Sequence, residues 1–411
     1  MEKMNDKRKK ILVVTHQYLP HVSPRTTRWK LIVDDLKDKG HEVTVLTGTQ
    51  QIDEEKNIVY IGNKSSSNVV NQMRERSNNL SGSNLIKKLF YKILKKIYRI
   101  IVKTFAWPDY SMFWLLSIYR NKKNLNIDYD LIISVSLPFS SHIAAYIINK
   151  KNKKEWVMDI GDPFTLKKDA PENNRILYGF LNRNYEKKFY SLASKIIFTH
   201  EEARSAHIDY FHIETKKTYV GNPISNFKKE IFSSSLGYNY NLLPNKFGYF
   251  GVFTNGVRSP KNFMKFFKDT KDIEFHWYVN DESKNEIARH SNKLDSNFHS
   301  IVEREDALKL MANSFHCLVS IGNLNTTQIP SKVIEYISTG KPVIHFCEIK
   351  NDPVKNIAKE FKNLFIISKT TNKETLLNEL NSFYKDISTF DKELFIQKYT
   401  AKSITKILNS S

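Results

Sequence analysis

Residues 328–344 (QIPSKVIEYISTGKPVI) carry side chains that suit the binding of a phosphate group and of a sugar. Ser331 is typical of a helix N-cap, where its hydroxyl accepts a backbone N–H, and Gly340 is typical of the C-terminal end of the same helix. The start of a helix binds anions, and Lys332 adds a positive charge there. Glu335, about one turn further along, can accept hydrogen bonds from two adjacent hydroxyls, such as those of a ribose. The same pattern also fits a capped helix in which Glu335 is only paired with a lysine.

A second group of polar residues follows the first predicted strand. The continuous apolar run at 10–15 indicates a buried parallel strand, and the helical spacing after it, with a further strand at 41–47, completes a βαβ unit. The turn after the first strand contains no glycine, so the close pyrophosphate contact of nicotinamide cofactors is not expected. It offers His16, Arg25 and Arg28 at the sheet edge where ligands bind, although a solvated surface loop would carry the same residues.

Two more strands, predicted at 130–135 and 156–159, are followed by polar loops. His142 lies beyond the first of them, and Asp159 and Asp162 lie at the end of the second. Two carboxylates three residues apart at the carboxyl end of a strand form a site-like arrangement. Because Asp and Pro also initiate ordinary turns, a purely structural interpretation stays open.

The second half repeats the alternation of strands and helices. An apolar run at 246–253 predicts a strand in which Gly251 allows close approach of a ligand. Ser259 and Pro260 then predict the N-cap and first residue of a helix. Arg258, just before them, would combine a guanidinium with the positive end of that helix as an anion site.

The pattern P-S-K-x-x-E-Y, followed by G-K-P-V-I, resembles the nucleotide-sugar segment of retaining glycosyltransferases with the GT-B fold, family 4-like and of the bacterial surface-polysaccharide type. The resemblance covers nearly the whole chain from Ile11 onward and depends on the order of the segments. It implies an α/β fold of two Rossmann-like domains with a cleft between them. It also implies a C-terminal helix that crosses back to the first domain.

The same resemblance implies roles for individual residues. The residue matching Glu335 binds the ribose of the donor in this family, and the loop around Arg258 binds its diphosphate. The donor nucleotide-sugar site implied here comprises Gly251, Arg258, Lys261, Ser331, Lys332 and Glu335. His142 and Asp162 are the implied catalytic residues, and His16, Arg25 and Arg28 lie on the acceptor side.

One position departs from the family pattern. The family has a glutamate where this chain has Thr327, eight residues before Glu335. Whether the substitution alters catalysis is left open.

The predicted domains are an acceptor domain at 1–224, a nucleotide-sugar domain at 225–390 and a terminal helix at 391–411. An insert at about 83–120 interrupts the first domain. Its part from 85 to 103 carries seven Lys or Arg residues and no acidic residue, with apolar residues at three- and four-residue spacing. Basic amphipathic helices of this kind lie on anionic membrane surfaces, and the alternative is a helix packed on its own domain with a solvated lysine face.

The formal net charge of +21 over 411 residues indicates an anionic partner. No nucleic-acid recognition motif accompanies the charge, so anionic lipid and phosphate-rich substrates are favoured over nucleic acid. Cys317 and Cys347 lie in apolar runs and are typical of core residues in a reduced compartment. The sequence shows no strong metal-ligand cluster, no signal peptide and no apolar stretch of the roughly 20 residues that span a bilayer.

Together these patterns predict a metal-independent glycosyltransferase without a cofactor. It would move a sugar from a nucleotide-diphosphate sugar, with UDP favoured, to a lipid-linked or saccharide acceptor in capsule or cell-surface polysaccharide synthesis. The predicted location is the cytoplasm, peripheral on the inner face of the cell membrane. Two alternatives stay open: a nucleotide-sugar 2-epimerase of the same fold, and a non-catalytic partner subunit at the membrane. Neither the sugar nor the oligomeric state follows from the sequence.

Overall fold

The computed structural model of the chain describes residues 8–21, 23–50, 57–62, 103–167, 171–236, 245–254, 256–268, 270, 273–290, 296–326, 328–385 and 390–410. The predicted basic helix at 85–103, apart from Lys103, lies outside the described residues. Thr327, which replaces the family glutamate, also lies outside them.

The chain divides into two compact units. The first comprises the residues up to Gly221 together with Ile407–Ser411, and the second is Asn222–Lys406. The second unit is therefore inserted, in sequence, into the first.

The first unit is built on a parallel sheet of seven described strands in the order β3-β2-β1-β4-β5-β6-β7. The continuous apolar run of β1 is at most 1% exposed from Ile11 to Val14, as expected for a strand buried on both faces. Its Leu12 is in register with Thr44 on one side and with Ile132 on the other. The strands are β1 (Lys10–Thr15), β2 (Glu42–Thr47), β3 (Ile58–Tyr60), β4 (Leu131–Ser136), β5 (Glu155–Ile160), β6 (Lys195–Phe198) and β7 (Thr218–Val220).

Helices connect these strands. Ser23, which with Pro24 has the N-cap and first-residue pattern of a helix start, is the N-cap of the first helix, because its hydroxyl oxygen accepts a hydrogen bond from the Thr26 backbone N–H at 3.2 Å. The apolar face of that helix buries Trp29, Ile32 and Leu36. The helices are α1 (Pro24–Asp38), α2 (Met112–Asn121), α3 (Ser140–Asn152), α4 (Arg175–Leu192) and α5 (Glu201–Phe211).

The second unit repeats the plan with a parallel sheet of six described strands in the order β10-β9-β8-β11-β12-β13. Aromatic rings fill much of its core, with Phe247, Phe263, Phe275 and Trp277 fully buried in one cluster. The strands are β8 (Asn245–Phe250), β9 (Ile273–Tyr278), β10 (Ser296–His299), β11 (Cys317–Ile321), β12 (Val343–Phe346) and β13 (Leu364–Ile367). The helices up to the last strand are α6 (Lys229–Leu236), α7 (Lys261–Phe267), α8 (Asp281–Ala288), α9 (Arg304–Asn313), α10 (Ser331–Ile337) and α11 (Val354–Ala358).

The chain ends in helices α12 (Lys373–Lys385), α13 (Lys392–Tyr399) and α14 (Ala401–Asn409). A single terminal helix from about 392 to 409 was expected, and this is wrong, because Thr400 adopts an extended conformation that separates two helices. The residues after Lys406 belong to the first unit. There Lys195 of β6 donates a hydrogen bond from Nζ to the Ile407 carbonyl at 3.1 Å, which satisfies one of the free carbonyls at a helix C-terminus.

Among the described residues, no helix combines the length and the apolar character that crossing a membrane requires.

Candidate functional site

Each sheet has a point where the strand order reverses. In the first sheet it lies between β1 and β4, and in the second between β8 and β11. Open α/β sheets bind ligands outside the carboxyl ends of the strands at such switch points. The loops that leave these four strands are therefore the places to look for a site, one in each unit.

In the second unit, an arginine and an asparagine connect the two loops at the switch point. Arg258, in the loop after β8, donates hydrogen bonds from Nε at 3.2 Å and Nη2 at 2.8 Å to Oδ1 of Asn323, in the loop after β11. The Asn323 amide nitrogen donates in turn to the Gln328 carbonyl at 3.0 Å. The guanidinium is thus held at the mouth of the sheet, where an anionic ligand is expected.

The predicted entry into the following helix is displaced by one residue. Ser259 and Pro260 were expected as N-cap and first helical residue, but α7 begins at Lys261 with Pro260 in the N-cap position. The Ser259 hydroxyl oxygen instead accepts a weak hydrogen bond from the Lys261 backbone N–H at 3.3 Å. The Lys261 side chain is exposed, and Gly251, at the end of β8, is half-buried.

The predicted cap of α10 is wrong in the same way. Ser331 is the first helical residue and is exposed, whereas Pro330 occupies the N-cap position and no side chain caps the helix. Gly340 beyond its end has a φ of +74°, a left-handed conformation that glycine adopts without strain. A Cβ on Gly340 would also lie 2.6 Å from the Phe232 ring.

Glu335 on α10 lies between two cations. Its Oε1 accepts a hydrogen bond from Arg304 Nε at 3.1 Å, and its Oε2 accepts one from Lys332 Nζ at 2.7 Å. The Glu335 side chain is 13% exposed, against about a third for each partner. The pairing of Glu335 with a lysine, the alternative considered from the sequence, is therefore present. Each carboxylate oxygen can accept two hydrogen bonds, so the partly exposed Glu335 carboxylate can still accept hydrogen bonds from a ligand.

Tyr336, next to Glu335, fastens α10 to the end of β8. Its hydroxyl accepts from the Phe250 N–H at 2.9 Å and donates to the Phe250 carbonyl at 3.0 Å. Burial strongly raises the pKa of Tyr336, and among the charges acting on it are those of Glu335 and Arg258. The Tyr336 hydroxyl thus ties the helix that carries Glu335 to the strand that precedes the Arg258 loop.

A chain of buried polar groups lies under the loop that carries Asn323. Ser320 Oγ and Asp352 Oδ2 are 3.0 and 3.1 Å from the two ring nitrogens of His345. Gly322 passes so close that a Cβ there would lie 2.4 Å from Asp352 Oδ2. These contacts fix the backbone on which the loop after β11 is built.

Cys347 adds a sulfur atom to this buried group. The potential ligand atoms of His345, Cys347 and Asp352 all lie within 4.8 Å of one another, an arrangement that was not expected from the sequence. Burial raises the pKa of the Cys347 thiol to about 12, so the sulfur carries its proton at neutral pH. Cys317 is buried and free, as Cys347 is.

In the first unit, Arg25 connects the loops after β4 and β5. Its Nη1 donates to the Leu137 carbonyl at 3.2 Å, and its Nη2 donates to Asp162 Oδ2 at 3.0 Å. Gly161 makes this crossing possible, because a Cβ there would lie 2.5 Å from Arg25 Nη2 and 2.9 Å from the Ser136 carbonyl oxygen. Arg25 and Asp162 are each about one-fifth to one-quarter exposed, so this pair can meet a ligand.

Arg28 and Asp159 have the contacts of a structural pair. Arg28 is 8% exposed and donates from Nη2 to the Gly221 carbonyl at 3.0 Å. Asp159 is 1% exposed, accepts a hydrogen bond from Trp29 Nε1 at 2.8 Å, and lies 3.5 Å from the Arg28 guanidinium. Acceptor contact by Arg28 stays a prediction, since its visible partners belong to the protein.

His142 is fully buried in the first turn of α3. Its Nδ1 lies 2.6 Å from Ser134 Oγ, which also accepts a hydrogen bond from Trp156 Nε1 at 2.8 Å. Burial, assisted by the charge of Arg25, lowers the pKa of His142 to about 3. The imidazole is therefore neutral at physiological pH, and its enclosure in this structure separates it from any ligand.

His16 follows β1 at the same edge of the sheet. Its ring packs edge-on against Trp114 and Tyr110, with ring centres 5.2 and 5.5 Å away. Burial, with a smaller contribution from the charge of His21, lowers the pKa of His16 to about 4. His16 is therefore a neutral, half-buried ring at this edge of the sheet.

Arg304, Asn323 and Tyr336 were not recognised in the sequence as site residues. Arg304 precedes Glu335 by 31 residues and Asn323 follows Arg258 by 65, so no local spacing connects either pair. The available signal was the position of Asn323 directly after a predicted strand at the same sheet edge as Arg258.

No protein-family model matches the sequence, and a search of curated proteins finds no match. Solved structures do match. HepE from Anabaena, in complex with UDP and glucose, has a TM-score of 0.59 at 13% identity, over 98% of this chain and 100% of that one. WaaG, described as a glycosyltransferase involved in lipopolysaccharide biosynthesis, has a TM-score of 0.58 at 12% identity, over 98% and 100%. A putative UDP-N-acetylglucosamine 2-epimerase from Listeria monocytogenes has a TM-score of 0.51 at 12% identity, over 98% of this chain and 96% of that one.

At this level of identity the likeness shows the fold. Two parallel α/β sheets and a match over nearly the whole chain give this protein the GT-B fold, and this prediction is confirmed. The roles of the individual site residues stay predictions.

Proposed function

We propose that this chain is a glycosyltransferase that uses a nucleotide-diphosphate sugar, with UDP as the favoured nucleotide. The observation that carries the proposal is the arrangement around Tyr336. Arg258 is held at the switch point by Asn323, and Glu335 is held between two cations on the helix that Tyr336 fastens to the end of β8. HepE, whose structure contains UDP and glucose, supports the choice of nucleotide.

Glu335 is proposed to accept hydrogen bonds from the ribose hydroxyls of the donor. Hydrogen bonds from Arg304 and Lys332 hold its two oxygens in place before the donor binds. Arg258 is proposed to bind the diphosphate, with Lys332, Lys261, Ser331 and the Gly251 turn as further donor contacts.

In the reaction, the bond between the anomeric carbon and the diphosphate oxygen breaks, and the acceptor oxygen bonds to that carbon. The diphosphate leaves with the bonding electrons, and its departing oxygen takes up the proton of the acceptor hydroxyl. Positive charge held in place before the reaction stabilises the departing diphosphate. Arg258 and Lys332 supply such charge, so the proposed chemistry needs no metal. Retention of the anomeric configuration is proposed from the resemblance to family 4-like enzymes.

The first unit is proposed to bind the acceptor. Asp162, paired with Arg25, is the best-placed carboxylate for a hydroxyl of the acceptor. His16 is proposed to line this site, and Arg28 is proposed to support it through its buried contacts. His142 is proposed to contribute through the position of the loop after β4, since it is enclosed and neutral.

The acceptor is proposed to be lipid-linked or a saccharide in cell-surface polysaccharide synthesis. The setting is the inner face of the membrane, where the basic segment at 85–103 would bind anionic lipid. Exchange of Lys88, Lys92, Lys95 and Lys96 for Glu tests this setting, and unchanged binding to anionic vesicles would contradict it.

The nucleotide assignment is tested by thermal shift against UDP, GDP, dTDP, CMP and NAD, each with EDTA and with Mn²⁺. A ligand at 100 times its Kd adds about 2.7 kcal/mol of stability. A shift with one nucleoside diphosphate that EDTA leaves unchanged is expected. No shift with any nucleotide would favour the non-catalytic partner subunit instead.

A nucleotide-sugar 2-epimerase is the second candidate, because a putative epimerase shares the fold along nearly the whole chain. An epimerase converts the donor without an acceptor. Incubation of the purified protein with UDP-sugars alone, followed by NMR of the sugar, separates the two. Epimerised UDP-sugar in the absence of acceptor would replace the transferase proposal.

A further inference from the structure

One surface of the first unit exposes large apolar side chains that none of the described residues of that unit covers. On α4, three residues of one helix face are solvent-exposed: Ile176 (95%), Leu177 (58%) and Phe180 (80%). On α2, Phe113, Leu116 and Tyr119 recur at three-residue spacing and are 53%, 44% and 56% exposed. Such clustering is unusual for a monomer surface and marks a place where something binds.

The segment at 103–110 joins the two helices into one surface. The Tyr178 hydroxyl on α4 donates to the Phe105 carbonyl at 3.1 Å. Trp107 donates from Nε1 to Asn182 Oδ1 at 3.0 Å, and its ring packs against Tyr185 at 4.8 Å. Phe105 itself is 68% exposed, on the segment that contacts α4 and leads into α2.

All exposed charges on these segments are positive. Residues 103–123 and 175–192 contain two acidic residues, Asp109 and Glu186, and both are buried, at 0% and 1% exposure. The exposed charged residues are Lys103, Arg120, Lys122, Lys123, Arg175, Arg183, Lys187 and Lys188.

We propose that this surface, made of the exposed residues of 103–123 and of α4, inserts into the interface of an anionic lipid bilayer. Exposed aromatic and aliphatic side chains, on segments whose own exposed charges are all positive, match the two layers of such an interface, acyl chains beneath anionic headgroups. The inference rests on the proposed function for the location of the chain at a membrane. The side chains that form the surface lie outside the basic segment at 85–102.

The surface is also connected to the proposed acceptor loops. Both oxygens of buried Asp109 accept hydrogen bonds from Ser140 at the start of α3, from its backbone N–H at 2.9 Å and its hydroxyl at 2.8 Å. Ser140 follows the loop after β4, whose Leu137 carbonyl binds Arg25. Docking at this surface would therefore bring the bilayer to the side of the first unit that is proposed to take a lipid-linked acceptor.

The test is co-sedimentation of the full chain with phosphatidylcholine vesicles containing phosphatidylglycerol. The triple variant Ile176→Gln/Leu177→Gln/Phe180→Gln removes apolar area at exposed helical positions with a good helix former. We expect its partition coefficient to fall at least tenfold. The matched control is Ile301→Gln in the second unit, where the side chain is 58% exposed, and it should bind like the parent.

A second pair of variants tests the charge. Lys122→Glu/Lys123→Glu should weaken binding and reduce its dependence on salt, because fewer cations meet the headgroups. Lys359→Glu/Lys362→Glu, with the same charge change at exposed positions of the second unit, should leave binding near the parent level.

Each variant is also assayed for its melting temperature and its thermal shift with UDP. A variant that keeps the thermal shift of the parent with UDP but binds vesicles more weakly supports the inference. Vesicle binding equal to that of the Ile301→Gln control overturns it, and would mean that another part of the chain or a protein covers the surface. A parent chain that binds vesicles but shows no shift with any nucleotide contradicts the proposed function and leaves the surface assignment standing.

Discussion

Arg258 Nη2 lies 2.8 Å from Asn323 Oδ1, and this contact joins the loops after β8 and β11 where the strand order of the second sheet reverses. The asparagine accepts two hydrogen bonds from one guanidinium and keeps it oriented before any ligand binds. Preorganised charge of this kind costs no reorganisation during the reaction.

Arg258→Lys should reduce kcat/KM by roughly 10- to 100-fold, because lysine cannot form the two-bond contact or face a diphosphate with a planar fork. The measurement is steady-state transfer of sugar from the preferred nucleotide sugar. Arg289→Lys is the matched control, since Arg289 is exposed and, among the described residues, its ion pair is with Glu286 in the last turn of the preceding helix. A loss as large in the control, or none in Arg258→Lys, contradicts the assignment.

Glu335→Gln should weaken UDP binding by about tenfold, or about 1.4 kcal/mol, if the carboxylate contacts the ribose. The penalty should shrink when 2′-deoxy-UDP is the ligand, because that ligand lacks one of the two hydroxyls. Calorimetric titration with both ligands measures the difference. Glu305→Gln, on an exposed carboxylate paired with Lys228, should bind both ligands as the parent does, and an equal penalty for UDP and 2′-deoxy-UDP would refute ribose contact by Glu335.

Gly161→Ala should weaken acceptor binding and leave nucleotide affinity unchanged. The new Cβ would lie 2.5 Å from Arg25 Nη2, so Arg25 must leave Asp162. We expect at least a fivefold rise in the KM for acceptor. Gly179→Ala is the control, because a Cβ there meets nothing within 4 Å and a helical alanine should stabilise the chain by about 0.5–1 kcal/mol. Unchanged acceptor kinetics in Gly161→Ala would remove the Arg25–Asp162 pair from the site.

Stability should fall as the pH falls below about 6.5, the ordinary pKa of histidine. His142 has its pKa lowered to about 3 in the folded chain, so between these values the unfolded chain binds the extra proton. His142 then contributes stability that is complete above pH 6.5 and is lost by about 1.4 kcal/mol per pH unit on the way down. Urea unfolding at pH 7.5 and pH 5.5 measures the slope.

His142→Asn removes the titrating group and keeps an acceptor near Ser134, so its stability should depend less on pH over this range. His212→Asn is the control, since His212 is exposed with a φ of +55° that asparagine tolerates. An unchanged slope in His142→Asn would show that the ring is not held neutral by burial.

Much of the fold follows from local sequence patterns. The run at 10–15 predicts β1 with its observed bounds, and Ser23 predicts the start of α1. Both signals are strong because a buried parallel strand must be apolar throughout and an N-cap needs a side-chain oxygen. The caps of α7 and α10 were each displaced by one residue, because a proline next to a serine fits either position.

The candidate site could be predicted only in part. Glu335, Arg258 and Asp162 lie at strand ends or in a helix that the order of segments already indicated. Their partners Arg304, Asn323 and Arg25 are separated from them by 31, 65 and 137 residues, and only the folded sheet brings them together. Burial is equally nonlocal: nothing next to His142 in the sequence shows that its ring is enclosed.

The return of the chain to the first unit has a consequence for biosynthesis. Residues 407–410, two of which bind Lys195 of β6, leave the ribosome only after the whole second unit has been made. The first unit is thus translated early but completed late, and Lys195 of β6 must wait for these partners through the synthesis of 185 residues of the second unit, from Asn222 to Lys406. A released chain that ends at Lys406 should accordingly contain the complete second unit and an unfinished first one.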